Sequence, residues 1–369
     1  MKKTPFVTVN LRKSVYAAHA AVFALSVCIC CIASRSVRPI SIGKTLTNAI
    51  ISADSCAAIQ AEASAPTLFL REKKNNPENK NTKPTAKSVS DSETSASVTA
   101  VQTSVPTAPI HTRTAAASSG EVQVSNNAGA SFDAAALSSC APQFLKGGCS
   151  VLIMHTHTSE SYTPSEKYRF SKRQFRKLSA PSDTDRTLDK NYNMVRVGNE
   201  IEDVLKKSGI KVYHDTTVND YPSYNGSYSR SGRNVQNYLK NDPSIKIVLD
   251  VHRDAIESSD GGKIKHICTV DGQNAARVMF VVGTDLSGLS HSGWKTNMSF
   301  AMCLQKYING KYPSLCRPIN LRKQRFNQQL APGALIVEVG TNGNTLDESL
   351  LGAKYFAESL AGFLRENQP

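Results

Sequence analysis

Residues 146–369 predict an α/β domain built on a mostly parallel sheet, and three observations lead there. Apolar runs of strand length recur at 150–154, 211–214, 245–251, 266–270, 278–282 and 334–339. Stretches with helical spacing fall between or after them, at 193–208, 232–239, 294–308 and 346–365. Alternation of the two element types is the pattern of strand–helix–strand units rather than of a sandwich or bundle. Third, several of the runs end in His, Asp or Glu. Sheets of this class gather ligands and chemistry at the carboxyl ends of their strands.

The elements can be justified in order. Ser150-Val151-Leu152-Ile153-Met154 is a continuous apolar run, as expected of a strand covered on both faces. It leads into His155-Thr156-His157-Thr158-Ser159-Glu160. If the chain stayed extended there, His155 and His157 would face the same side and could share a ligand. Over 193–208, Met194, Val197, Ile201, Val204 and Leu205 make one helical stripe, and Gly209 stops it. The run at 245–251 contains Asp250 and continues into His252-Arg253-Asp254. The last run, at 334–339, carries Glu338 among aliphatic residues. A glutamate in such a strand is costly unless it is paired, hydrogen-bonded or close to a cation.

Upstream the chain has a different character. Lys2, Lys3, Arg12 and Lys13 precede an uncharged, mostly apolar run at 14–33, and Arg35 and Arg38 follow it. About 20 residues at ~1.5 Å rise cross the ~30 Å hydrocarbon core of a bilayer. The basic flank places the remainder outside the cytoplasm. Residues 1–38 are therefore expected to be a cytoplasmic tail and single-pass transmembrane anchor in the cell membrane. A cleaved signal peptide, cut near Ala33 or Ala53, is the rival. Residues 39–145 are rich in Ser, Thr, Ala, Pro, Asn and Lys without a sustained apolar period, and are expected to be a disordered extracytoplasmic tether.

The net charge of +14 favours an anionic partner such as acidic lipid or an anionic cell wall. No nucleic-acid-binding motif accompanies it. Six of the nine cysteines (Cys56, Cys140, Cys149, Cys268, Cys303 and Cys316) lie outside the apolar run without C-x-x-C spacing, which argues against a zinc ribbon. A disulfide such as Cys140 with Cys149 is compatible with an extracytoplasmic setting. Neither Cys149 nor Cys268 has a recognisable nucleophile setting.

Taken together, the strand ends offer the parts of a metal hydrolase. A catalytic zinc site takes about three protein ligands and keeps one position open. It also needs a carboxylate outside that set to accept a proton from water. Histidines from two strands and a glutamate from a third meet that need. The alternative is a non-catalytic wall-binding or scaffold subunit of a membrane-bound complex, with the same fold and basic face.

The stretches VLIMHTHTSESY, NYNMVRVGNEI, LDVHRDA and RFNQQLAPGALIVEVGTNGNT, with the helix carrying Trp294 and Asn297, resemble the stage II sporulation protein P family. Its members are membrane-anchored cell-wall hydrolases of endospore formers. The resemblance implies a phosphorylase/hydrolase-like three-layer fold and Zn²⁺-dependent N-acetylmuramoyl-L-alanine amidase activity, with cleavage of stem-peptide cross-links besides. It also implies work with stage II sporulation proteins D and M on peptidoglycan during engulfment. Carried across, it makes His157 and His252 metal ligands, with Asp189 as the acidic one and Glu160 or His155 as alternatives. Glu338 becomes the catalytic base. Arg253 and Asn342 are the expected substrate contacts, Arg253 through a bidentate grip on a carboxylate. For Arg253 the competing role is an internal pair with Asp254 or Glu338. The basic insertion at 162–190 is either an attractor for the anionic wall or a solvated loop.

Overall fold

Main-chain pairing of these apolar runs produces one large sheet in the computed structural model, which describes residues 109–115, 121–139, 141–168 and 185–368. In chain order the strands are β1 Ile110–Thr114, β2 Val124–Asn126, β3 Ser150–Met154, β4 Val212–His214 and β5 Ile245–Asp254. They continue with β6 Lys263–Val270, β7 Gln273–Ala276, β8 Val278–Gly283, β9 Ile319–Arg322 and β10 Gly333–Thr341. The helices are α1 Ala134–Ser138, α2 Met194–Lys207, α3 Ser227–Asn241, α4 Trp294–Lys311 and α5 Leu346–Asn367.

The seven-stranded sheet has the order β2-β9-β8-β10-β5-β3-β4, and β1-β6-β7 form a separate three-stranded sheet. Within the large sheet only β10 against β8 is antiparallel. The expected mixed α/β architecture with a mostly parallel sheet is therefore present.

Strand alternation divides the core into two sides. Val151 and Ile153 of β3, Leu249 and Val251 of β5, and Leu335, Val337 and Val339 of β10 join one apolar cluster with α2, α4 and α5. Leu152, Met154 and Val248 face the other way, toward Val235 of α3. Asp250 and His252 share the parity of Val248, and Glu338 that of Ile336. These polar groups are thus strand residues on the α3 side, and β5 continues through Asp254 instead of ending at 251. Helix ends follow ordinary capping chemistry. The Asn193 side chain accepts from Val195 N at the start of α2. Thr345 and Glu348 form a capping box on α5.

Ordered elements begin upstream of residue 146. β2 pairs with β9 in parallel. Gln123 N donates to Gln305 Oε1 at 2.8 Å, and Asn309 Nδ2 donates to Glu121 O at 2.8 Å. Ser299 Oγ donates to Leu137 O at 2.7 Å. These segments are held through their main chain, by pairing with β9 and by side chains of α4, so they carry little apolar periodicity to betray them. The same reason hides β7, whose sequence is Gln-Asn-Ala-Ala. The apolar run at 14–33, together with Cys28, Cys30, Cys31, Cys56 and Cys140, lies outside the described residues. Among the described residues no helix is long and apolar enough to cross a membrane, and no disulfide is formed.

Candidate active site

Parallel pairing of β5 with β10 sets Glu338 in register with His252. After Met154 the chain leaves the extended conformation and turns over residues 156–159. That turn sends the two histidines of the HTHTSE segment in different directions, so the expected convergence of His155 and His157 does not occur. His157 reaches the α3 side, where its ring stacks on Tyr224 at 4.4 Å and stands perpendicular to His252 at 5.3 Å. The Tyr224 hydroxyl lies 3.0 Å from His157 Nε2. His155 goes to the α2 side, completely buried. Its Nδ1 donates to Val251 O at 2.9 Å, while its Nε2 meets His214 Nε2 at 2.9 Å.

His252 sits between two carboxylates. Its Nδ1 is 3.3 Å from Glu160 Oε2, and its Nε2 is 2.9 Å from Asp250 Oδ1. Asp250 is fixed in turn by Thr156, whose N–H and hydroxyl donate to it at 2.7 and 2.6 Å. Glu160 receives Arg253 N–H at 3.3 Å and faces Arg186 Nη2 at 3.5 Å. Arg186 also pairs with Asp220 at 2.8 Å. This is a dense network of buried charge, in which each carboxylate has a cation or N–H opposite it.

The proton affinities follow from that crowding. Burial pushes the Glu160 carboxyl up, but Arg253, His252 and Arg186 outweigh it and hold it far below the usual carboxylate range. Burial disfavours the charged form of His252, yet Asp250 and Glu160 keep its pKa well above the ordinary imidazole value. His157 is pushed down to about 3, by burial above all. Glu338 moves the other way, up to about 8, through burial first and then the negative charge of Asp254. Two buried carboxyls, Glu160 and Glu338, are thus pushed in opposite directions by environment alone.

The other expected site residues lie elsewhere or are already engaged. Asp189 closes a turn on itself, accepting from Asn191 N at 2.9 Å and Asn191 Nδ2 at 3.0 Å. Besides Asp250, the acidic group that reaches His252 is Glu160. Arg253 is turned neither to Asp254 nor to Glu338: its Nε donates to Ser161 O at 2.9 Å and its Nη2 to Asp185 O at 3.0 Å. With 3% exposure it braces the turn carrying Glu160 instead of projecting toward a ligand. Asn342 is built into the loop after β10, where its Oδ1 accepts from Ile256 N at 3.3 Å and its carbonyl from Thr163 Oγ1 at 2.8 Å. Sequence reasoning missed Arg186, Asp220 and Tyr224. A buried Glu160 implies a cation, but nothing in the spacing says which one. The thiols of Cys149 and Cys268 are both pushed up to about 11, chiefly by burial, which removes them as nucleophiles.

Among the described residues, no three His, Cys, Asp or Glu side chains stand ready-made around a metal position. The donors nevertheless fit one by a different mark. His157 Nδ1 and Glu338 Oε2 are buried without a hydrogen-bond partner, on either side of His252. Unsatisfied polar atoms of this kind are costly and call for an occupant. Two imidazoles with a neighbouring carboxylate are a donor set suited to zinc.

Comparison with known proteins adds the following. No curated protein matches the chain. Solved structures with a similar arrangement include the amidase Ami1 from Mycobacterium smegmatis, at 12% identity and a TM-score of 0.35, covering 60% of this chain and 98% of that one. The catalytic domain of the CD27L endolysin, which targets Clostridia difficile, gives 13% identity and 0.35, covering 60% and 99%. The CwlD amidase from Clostridioides difficile, in complex with the GerS lipoprotein, gives 13% and 0.32, covering 58% and 94%. Scores this low decide nothing about chemistry. The family model for stage II sporulation protein P, in contrast, matches residues 43–361, a span that takes in β3, β5 and β10 and every polar group gathered at their ends. With most of its length matched in this way, the chain belongs to the stage II sporulation protein P family.

Proposed function

We propose that the protein is a zinc-dependent peptidoglycan hydrolase that cleaves the amide between N-acetylmuramic acid and L-alanine. Family membership supports the peptidoglycan-hydrolase role. The observation that carries the chemistry is the pair of buried, partnerless atoms His157 Nδ1 and Glu338 Oε2 flanking His252, whose Nδ1 faces Glu160. His157, His252 and Glu160 would hold the ion, while Asp189 accepts from Asn191 N and Nδ2. When bound, zinc acts as a Lewis acid and lowers the pKa of water toward ~7.

The chain's own residues supply the rest. Glu338, with a pKa near the working range, takes the proton of the attacking water and returns it to the leaving nitrogen. Tyr224 orients the His157 ring through its Nε2. Asp250, fixed by Thr156, plays the same part at His252, while Arg186 and Arg253 hold Glu160 in its ionised form. A phosphorylase/hydrolase-like three-layer arrangement, endopeptidase cleavage of cross-links, anchoring through residues 14–33 and cooperation with stage II sporulation proteins D and M belong to the same proposal. They are supported by family membership and by the basic flanks of the apolar run.

The test is digestion of purified cell wall with mass analysis of the fragments, with and without a chelator. Free stem peptides starting at L-alanine, abolished by chelation and restored by zinc, are the expected result. Undiminished digestion after complete zinc removal would sink the proposal.

A further inference from the structure

Beyond Glu338 the same end of the sheet changes sign, from carboxylates to guanidinium groups. Asp254 continues the alternation of Asp250 and His252 along β5, and its Oδ2 lies 2.8 Å from Arg317 Nη1. Both groups act on Glu338, Asp254 raising its proton affinity and Arg317 lowering it. Arg277 holds the turn that presents Arg317: its Nε donates to Ser314 O at 2.8 Å and its Nη2 to Cys316 O. Arg277 N donates to His266 O at 3.1 Å, and His266 is the register partner of Arg113 on β1. Main-chain pairing thus links Arg113, His266 and Arg277 in a row, and Arg277 in turn holds the turn of Arg317, the member that acts on Glu338.

Three guanidinium groups there outweigh one carboxylate. Burial above all, and then Arg317, Arg277 and Arg113, push the His266 pKa down to about 4, while Asp254 pulls it the other way. Basic residues on an exposed edge strand commonly serve to block unwanted pairing. That accounts for Arg113 on β1, but not for Arg317, whose side chain is only 12% exposed. A guanidinium offers five N–H donors in a planar fork, more than Asp254 can take. Forks of this kind bind carboxylates in bidentate fashion.

Glu338 fixes which part of a substrate would meet this cluster. On the amidase reading, which this inference rests on, Glu338 protonates the leaving nitrogen, so groups beside it face the departing peptide rather than the sugar. We propose that Arg317 and Arg113, the latter beside His266 in the strand register, form a subsite for a carboxylate of that peptide. Arg277 positions the subsite without binding the ligand. The protein would then prefer stem peptides whose glutamate carboxyl is free over those in which it is amidated.

Calorimetric titration of the full-length, zinc-loaded protein with L-alanyl-D-glutamate and with its α-carboxamide tests this, since neither dipeptide contains the scissile bond. The acid is expected to bind about tenfold more tightly than the amide. Arg317→Gln or Arg113→Gln should bring that ratio close to one, and the exposed Arg113 covers the case in which Arg317→Gln fails to fold. Equal affinities in the unaltered protein, no binding of either dipeptide, or a ratio that survives both substitutions would overturn the subsite. So would inorganic phosphate binding at this cluster in preference to the acid. Wall digestion without discrimination would remove the subsite and leave the hydrolase standing, whereas discrimination without digestion would do the reverse.

Discussion

Glu338 shows how one residue's environment sets both its chemistry and its cost. Its carboxyl is partly buried in β10, Oε2 has no hydrogen-bond partner, and its pKa rises from 4.5 to about 8. A folded-state pKa above the unfolded one means that the protonated form favours folding. That contribution is complete below 4.5 and is lost as pH climbs through about 8. Thermal unfolding of metal-free protein between those limits should therefore show a loss of stability at the alkaline end, flattened in Glu338→Gln. The same substitution should lower wall hydrolysis by roughly 10²–10⁴-fold, the usual size of a general acid–base contribution. Zinc binding should survive it, since Glu338 lies outside the proposed ligand set. Arg186 poses a different question, because it pairs with Glu160 at 3.5 Å and Asp220 at 2.8 Å inside the protein. Arg186→Met would leave both carboxylates without that partner and should cost about 3–5 kcal/mol in chemical denaturation. A cost below about 1 kcal/mol would mean that the pair is effectively solvated.

At the scale of elements, α2 packs on β3 through aliphatic side chains and, past the end of that strand, against the imidazoles of His155 and His214. A Cβ added to Gly198 would come within 2.5 Å of His214 Nε2 and 2.8 Å of His155 Nε2. Gly198→Ala should therefore destabilise the protein by about 1–3 kcal/mol, against the slight gain a helical Gly→Ala change usually brings. Denaturant titration reads the sign directly. This contact also explains what the sequence could not convey about the HTHTSE segment. Alternation holds only while the chain is extended, and here the turn at 156–159 begins directly after His155. The strands β3, β5 and β10 were legible because they are long and apolar, and α2 and α5 because their stripes and caps agree. β2, β7 and β9 were not, since three or four residues with mixed polarity owe their state to neighbours already in place.

For the molecule as a whole, the sheet order decides which distant segments meet. β5 lies between β10 and β3 although about eighty to ninety residues separate it from each in sequence, and the ends of the three collect His157, Glu160, His252 and Glu338. The sequence already pointed to His157, His252 and Glu338 through their strand positions. It left the acidic partner open because two candidates stood at plausible offsets. Only three-dimensional placement separates them, with Glu160 against His252 and Asp189 folded onto Asn191. Arg253 shows a structural role the sequence did not convey: its Nε and Nη2 donate to the Ser161 and Asp185 carbonyls, beside Glu160.

Zinc content per chain, measured after dialysis in the unaltered protein and in Glu160→Ala, Asp189→Ala, His157→Ala and His252→Ala, puts this assembly to the most direct test. One equivalent should remain in the unaltered protein and in Asp189→Ala, and be lost in the other three. Zinc retained in Glu160→Ala and lost in Asp189→Ala would contradict the site described here.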